Sequence, residues 1–214
     1  MSGRTNPILV AGGSRTSHGV ETPLATQRLF VAIDAGPAIA AAIGRAVARV
    51  RSHADRAAWA GAAAAHVTLV FLGNVPHDRL EPVRGAVREA AGRRHPLTLR
   101  VHGVSVFGHP THPRTLWAGI DGDLESLAAL VADLRRALIP LGFELEDRAF
   151  HPHLTLARAR GSRGDPGLAR CAAALRDDAF GVFHAQAITL YRSELLPSGA
   201  RHYVVEQCPL GAAF

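Results

Sequence analysis

Two short motifs in this chain, His66-Val67-Thr68 and His153-Leu154-Thr155, have the residue types of acid–base chemistry. In an extended strand, residues i and i+2 project from one face, about 7 Å apart along the chain. Each imidazole is therefore expected to share a face with a hydroxyl. A histidine of ordinary pKa, about 6.5, can accept or donate a proton near neutrality, so two of them can work in opposite senses at one pH. Threonine hydroxyls can donate hydrogen bonds to the non-bridging oxygens of a phosphate. If both motifs converge on one volume, the set suits an in-line displacement at phosphorus. One ring stands by the attacking water and the other by the leaving oxygen, with neither a metal nor a covalent intermediate required. A lone histidine on a strand is ordinarily a core or surface residue, and this chain has twelve. The reading rests on two motifs in matching register.

The surrounding pattern supplies that register. A β-rich run at Arg28–Asp34 precedes a helix from Pro37 to about residue 53, whose Ile39, Ile43, Val47 and Val50 fall at spacings of three and four. The first motif opens an apolar strand, His66–Leu72, closed by Gly73-Asn74, and a second helix follows over about 78–92. Strands are expected near 97–107 and 114–121. A helix capped by Asp123 then carries Leu124, Leu127, Leu130, Val131, Leu134 and Leu138 as an apolar stripe. The second motif opens a strand at 153–158, followed by a short helix near 166–176 and strands near 183–192 and 202–207. Leu29–Asp34 matches Leu116–Asp121, and His66–Leu69 matches His153–Leu156, both 87 positions apart; Val104–Phe107 matches Ile188–Tyr191 at 84. The expectation is an internal duplication with halves near 28–113 and 114–207. The fold class is α/β of the α+β type. It is bilobal and pseudo-two-fold, with mostly antiparallel sheets, helices on the outer faces and the site in the central cleft.

Composition narrows the chemistry. The chain has 214 residues, 48% of them hydrophobic, enough for a buried core. No stretch approaches the roughly 20 apolar residues of a membrane span, and a cytoplasmic protein is expected. The net charge of +6 favours a phosphate-bearing partner. Every basic side chain is arginine. A covalent adenylate needs a lysine amine, and no phosphate-cradling Gly-rich loop is present, so an ATP-driven ligase is excluded. Cys171 and Cys208 lack disulfide-framework or zinc-site spacing and are read as buried, inert thiols. The spacings of His151-Pro152-His153 and His109–His112 would suit metal pairs, but neither has an acidic or Cys partner nearby in sequence, so neither a metal nor a cofactor is expected.

Taken together, Arg28–Ile33, Trp59 seven places before His66, the run His66–Gly73, then Phe150–Arg158 and Leu190–Leu195 carry a resemblance. They are similar to the bacterial RNA 2′,3′-cyclic phosphodiesterase (2′-5′ RNA ligase-like) branch of the 2H phosphoesterase superfamily, over about residues 28–207. The resemblance implies hydrolysis of an RNA 2′,3′-cyclic phosphate end to a 2′-phosphomonoester. It implies His153 as the base for water and His66 as the acid for the departing 3′ oxygen. It implies Arg158 as a phosphate-side contact, beside the hydroxyls of Thr68 and Thr155 already read as phosphate donors from the motifs. The partner implied is RNA or an oligonucleotide with such an end, tRNA fragments among them, met by a monomer. The approach to the first motif, Ala60–Ala65, departs from the more polar or Pro/Asn-containing pattern of relatives.

Two other readings use the same residues. A reversible, ATP-independent 2′-5′ RNA ligase would run the site backwards. A non-catalytic RNA-binding module would keep the fold alone, but both motif histidines are present and 6% aromatic content gives few stacking platforms. Phe30, Trp59, Phe107, Trp117 and Tyr191 are read as core more readily than as a base pocket. Residues 1–27, rich in Gly, Ser, Thr and Pro, are expected to form a disordered leader, with 28–214 as one bilobal domain. A chain starting at Thr26 should keep its turnover of a 2′,3′-cyclic nucleotide and nearly the same Tm; a large loss of either would place the leader in the folded core.

Overall fold

A computed structural model describes residues 26–61, 65–145, 149–196 and 199–211. The strands are β1 (Thr26–Asp34), β2 (Ala58–Trp59), β3 (His66–Pro76), β4 (Leu97–His109), β5 (His112–Gly122), β6 (His153–Arg158), β7 (Ala179–Ala185), β8 (Ala187–Leu196) and β9 (Gly199–Pro209). The α-helices are α1 (Gly36–Val50), α2 (Leu80–Gly92), α3 (Leu124–Leu138) and α4 (Pro166–Ala174). Of the expected leader, only Thr26 and Gln27 are described, and they already pair with Pro76 and Val75 as the start of β1. Part of the Ala60–Ala65 approach also lies outside the described residues.

The strands form two sheets, ordered β3-β1-β8-β9 and β2-β6-β5-β4-β7, with every pairing antiparallel. The orders β3-β1-β8-β9 and β6-β5-β4-β7 correspond strand for strand, which is the expected pseudo-symmetry. The helices cover the outer faces. α1 lies against β7, and α4 against β4 and β5; α2 lies against β8 and β9, and α3 packs on α2 and β3. The apolar stripe of α3 is buried from Leu127 to Leu138, while Leu124, at the helix start, is exposed. Asp165 caps α4 by accepting the backbone N–H of Gly167 at 2.7 Å. One hydrophobic core runs through both lobes, from Leu29 and Ile33 to Leu154, Leu190 and Cys208.

The sheets and the sequence halves do not coincide. β4, from the first half, pairs with β5 of the second, and β8, from the second, pairs with β1 of the first. Each lobe therefore borrows a central strand from the other half. The single strand expected near 183–192 is two, β7 and β8, which end up in different sheets with Gln186 between them.

The repeat register is also subtler than one constant offset. β3 and β6 are 87 residues apart at their motifs. Their partners place Thr68 opposite Ala32 but Thr155 opposite Trp117, which aligns β1 with β5 at 85. A slip of two residues keeps every side chain on its face, so alternation alone cannot detect it.

Because each half lacks the partner of its own central strand, a fragment ending after β4 exposes unpaired edges on β1 and β4. Residues 26–110 expressed alone should give far-UV CD and urea titrations without a cooperative transition. A cooperative transition for that fragment would mean that the halves fold independently.

Candidate active site

β3 and β6, the motif strands, are neighbours across the gap between the two sheets. Their opening residues share one burial pattern. His66 and Thr68 are half-exposed while Val67 and Leu69 are buried; His153 and Thr155 are half-exposed while Leu154 and Leu156 are buried. The core takes the aliphatic side chains and leaves the histidines and hydroxyls on the open face, as the spacing predicts.

Each strand then carries a bulge at the same place. Val31 pairs with Val70 and Ala32 with Thr68, which leaves Leu69 as an extra residue. Leu116 pairs with Ala157 and Trp117 with Thr155, which leaves Leu156 extra. A bulge of one residue reverses the alternation beyond it. Strict alternation would turn residue 158 away from Thr155; the bulge returns it to the same face. The Arg158 guanidinium accordingly donates to Thr155 Oγ1 at 3.4 Å and to Thr115 Oγ1 at 3.3 Å. No carboxylate lies within ion-pair distance of it among the described residues. Burial pulls its pKa down from the usual arginine value, which still leaves it a cation. A partly desolvated cation held by two hydroxyls, with no carboxylate in ion-pair distance among the described residues, favours an anionic ligand.

The equivalent position beyond the other bulge is Phe71, which sequence reasoning did not single out. Its ring is 51% exposed and lies 5.9 Å from that of Phe30. The cleft is thus asymmetric at this position, with the Arg158 cation on one side and the exposed Phe71 ring on the other.

The two histidines also differ in their surroundings. The His66 ring is set among Phe30 (centroids 5.2 Å apart), Tyr191 (6.1 Å) and His202 (5.3 Å, edge-on). Burial in this cluster, the nearby His202 and, in the opposite sense, the Asp34 carboxylate together bring its pKa down to about 4. It is neutral at pH 7. His153 lies against Phe107 at 4.9 Å and Trp117 at 6.1 Å, and its Nδ1 is 2.7 Å from the His151 carbonyl oxygen. A carbonyl can only accept, so Nδ1 carries the proton, and a second proton would have to sit on Nε2.

Phe107, Trp117 and Tyr191, expected as core, are half-exposed and wall the two imidazoles; Phe30 is buried as expected and packs against His66 as well. Trp59 is used elsewhere, its indole N–H donating to the Ala54 carbonyl at 3.0 Å. His109 and His112 sit at the β4–β5 turn, each within hydrogen-bonding distance of the Thr111 hydroxyl. No group of three or more metal-ligating side chains occurs among the described residues. Cys171 and Cys208 are buried, and burial pushes the Cys208 thiol up to about 11. Among the described residues, no helix is long and apolar enough to cross a membrane.

Comparison with known proteins agrees with this geometry. The family model of the 2′-5′ RNA ligase superfamily matches residues 37–195. A protein of Aeropyrum pernix named RNA 2′,3′-cyclic phosphodiesterase is 33% identical over 136 residues, covering 63% of this chain and 75% of its own. A protein of the same name from Methanothermobacter thermautotrophicus is 28% identical over 172 residues, covering 80% and 92%. The solved structure of a Thermus thermophilus protein superposes with a TM-score of 0.74 at 25% identity, covering 87% of this chain and 100% of that one. Escherichia coli LigT complexed with 3′-AMP shares the fold, with a TM-score of 0.70 at 24% identity, covering 87% and 99%. With its paired His-x-Thr strands, its interlocked sheets and a family match over most of its length, the chain belongs to the 2′-5′ RNA ligase superfamily.

Proposed function

We propose that this protein hydrolyses RNA 2′,3′-cyclic phosphodiester ends to 2′-phosphomonoesters by two-histidine acid–base catalysis. The observation that carries the reading is two His-x-Thr strands meeting at one cleft, with Arg158 beside Thr155 and no carboxylate to neutralise it among the described residues. Relatives named RNA 2′,3′-cyclic phosphodiesterase support the substrate class. Arg158 and the hydroxyls of Thr68 and Thr155 hold the non-bridging oxygens. The exposed Phe71 ring offers a surface for a base.

The environments of the histidines favour roles opposite to those the resemblance implies. A base must begin without its proton, and His66, walled by aromatic rings, is neutral at pH 7. An acid must point a protonated nitrogen at the leaving group. His153, anchored through Nδ1 on the His151 carbonyl, keeps the same orientation when Nε2 is protonated as well. His66 therefore takes a proton from water as the water oxygen attacks phosphorus. The bond from phosphorus to O3′ breaks, and His153 Nε2 delivers a proton to O3′, leaving phosphate on O2′. The half-exposed site face admits water, so hydrolysis dominates over ligation.

Turnover of 2′,3′-cyclic nucleotides in excess EDTA, with products separated by chromatography, should yield only 2′-monophosphates at an undiminished rate. Activity that is lost to chelation and restored by one metal, or a 3′-monophosphate product, would overturn the mechanism. His66→Ala and His153→Ala should each lower kcat by about 10²–10⁴. The double variant should lose far less than the product of the two, because both groups serve one transition state. Thr68→Ala, Thr155→Ala and Arg158→Ala leave the proton carriers in place. The two threonine variants should cost less than either histidine variant, and Arg158→Ala should act mainly on KM.

The pH profile follows from the burial of His66. As pH falls through about 4, His66 gains the proton that disables a base, and kcat/KM of the wild type should decline there. On the alkaline side it should fall as His153 loses the proton it donates. His66→Ala should abolish the acid limb, and His153→Ala the alkaline one. The converse result would restore the roles the resemblance implies.

A further inference from the structure

The four-stranded sheet holds a third imidazole at the site, which neither motif contains. β3 and β9 are its two edges, three strand spacings apart, or about 14 Å if the sheet were flat. Yet the ring of His202, on β9, stands edge-on to that of His66, on β3, with centroids 5.3 Å apart and planes at 87°. Only a sheet rolled into a concave trough brings side chains from its two edges into contact. His202 is also edge-on to Phe30 at 4.9 Å and lies 6.4 Å from Tyr191. Its Nδ1 is fully buried and has no hydrogen-bond partner among the described residues.

A buried ring nitrogen without a partner is tolerated as a bare lone pair far better than as an N–H, which would lose its bond to water. His202 is therefore held as the neutral tautomer with its proton on Nε2, and burial lowers its own pKa in agreement. Because Nδ1 is sealed from the cleft, it is not placed to touch a substrate. What the ring does touch is His66.

We propose that His202 is a positioning residue, whose imidazole closes the trough over His66 and fixes the orientation of the catalytic ring against Phe30 and Tyr191. This rests on the reading of His66 as the base. Three titratable groups face His66 from the packed elements: Asp34 at the end of β1, Tyr191 on β8 and His202 on β9. Asp34 favours a protonated His66 and His202 opposes it. Tyr191, whose pKa burial raises, stays neutral at the pH of interest. Removing the His202 ring admits water and removes a competing site for a proton, both of which make His66 easier to protonate. Phenylalanine at 202 keeps the edge-on packing and removes only the second titrating group.

The test compares wild type, His202→Phe and His202→Ala by NMR titration of histidine-selectively labelled protein, together with kcat and KM for 2′,3′-cyclic AMP. The His66 resonance should titrate at about 4 in the wild type. In His202→Ala it should move up toward the unperturbed 6.5 and carry the acid limb of kcat/KM with it. At pH 7, His202→Ala should lower kcat by up to about 10²-fold, the cost of a loosened catalytic group, with KM little changed. His202→Phe should recover most of that kcat, with a His66 titration point between the other two. Identical His66 titration in wild type and His202→Ala would overturn the proposal, as would a folded His202→Phe no more active than the alanine variant. If His202→Ala fails to fold, the wild-type and phenylalanine comparison decides alone: near-wild-type kcat supports the proposal and an alanine-scale loss overturns it. If the wild type itself turned over no cyclic nucleotide, the proposed function would fail, while the NMR titrations would still report whether His202 controls His66.

Discussion

An extended strand turns alternate side chains to opposite faces, and everything at this site follows from how β3 and β6 use that constraint. On each strand two aliphatic residues face inward to the core, which forces a histidine and a threonine outward together. One extra leucine then reverses the alternation, so that a third residue, Arg158 on β6 and Phe71 on β3, joins the same open face. Burial of Leu69 and Leu156 is thus coupled to the placement of the groups that would hold a nucleotide. Disturbing either bulge would misplace Arg158 or Phe71 without touching a histidine.

The exchange of central strands makes the two motifs one site. β4 and β8 each sit in the sheet built on the other half's first strand, so the lobes share a core and cannot drift apart as hinged domains would. Both also bring aromatic rings to the open faces. Tyr191 of β8 lies beside His66, and Phe107 of β4 beside His153. The histidine environments diverge from that common plan. One ring is buried among aromatic rings, with a second imidazole beside it, and becomes hard to protonate; the other, near the His151 ring, finds a backbone carbonyl that fixes its tautomer. In the proposed mechanism these differences suit two like groups to unlike work.

Much of this was legible in the sequence, because it depends on local patterns. The motif strands, the helices and their apolar stripes, and the correspondence of the halves all follow from periodicity. Four things were not. The bulges are invisible to a period-two reading, so Arg158 could be placed at the site only through the family resemblance. The two-residue slip between β1 and β5 leaves the alternation unchanged, so matching Leu29–Asp34 to Leu116–Asp121 gave the right faces but the wrong partners. β7 was lost because its buried residues Phe180, Phe183 and Ala185 do not alternate regularly, and the following strand begins after a single residue. His202 could not be found by spacing at all, since only the rolling of the sheet brings its edge strands together.

The central claim is that two imidazoles from opposite sheets serve one phosphate. The most direct measurement is a titration of the histidine-labelled protein with adenosine 2′-monophosphate, following the ring signals of His66 and His153 and the ³¹P signal of the ligand. Both rings and the phosphorus should respond along a single binding curve at one-to-one stoichiometry, with Arg158→Ala weakening the affinity read by both rings equally. A response from only one ring, or two rings saturating at different ligand concentrations, would contradict it.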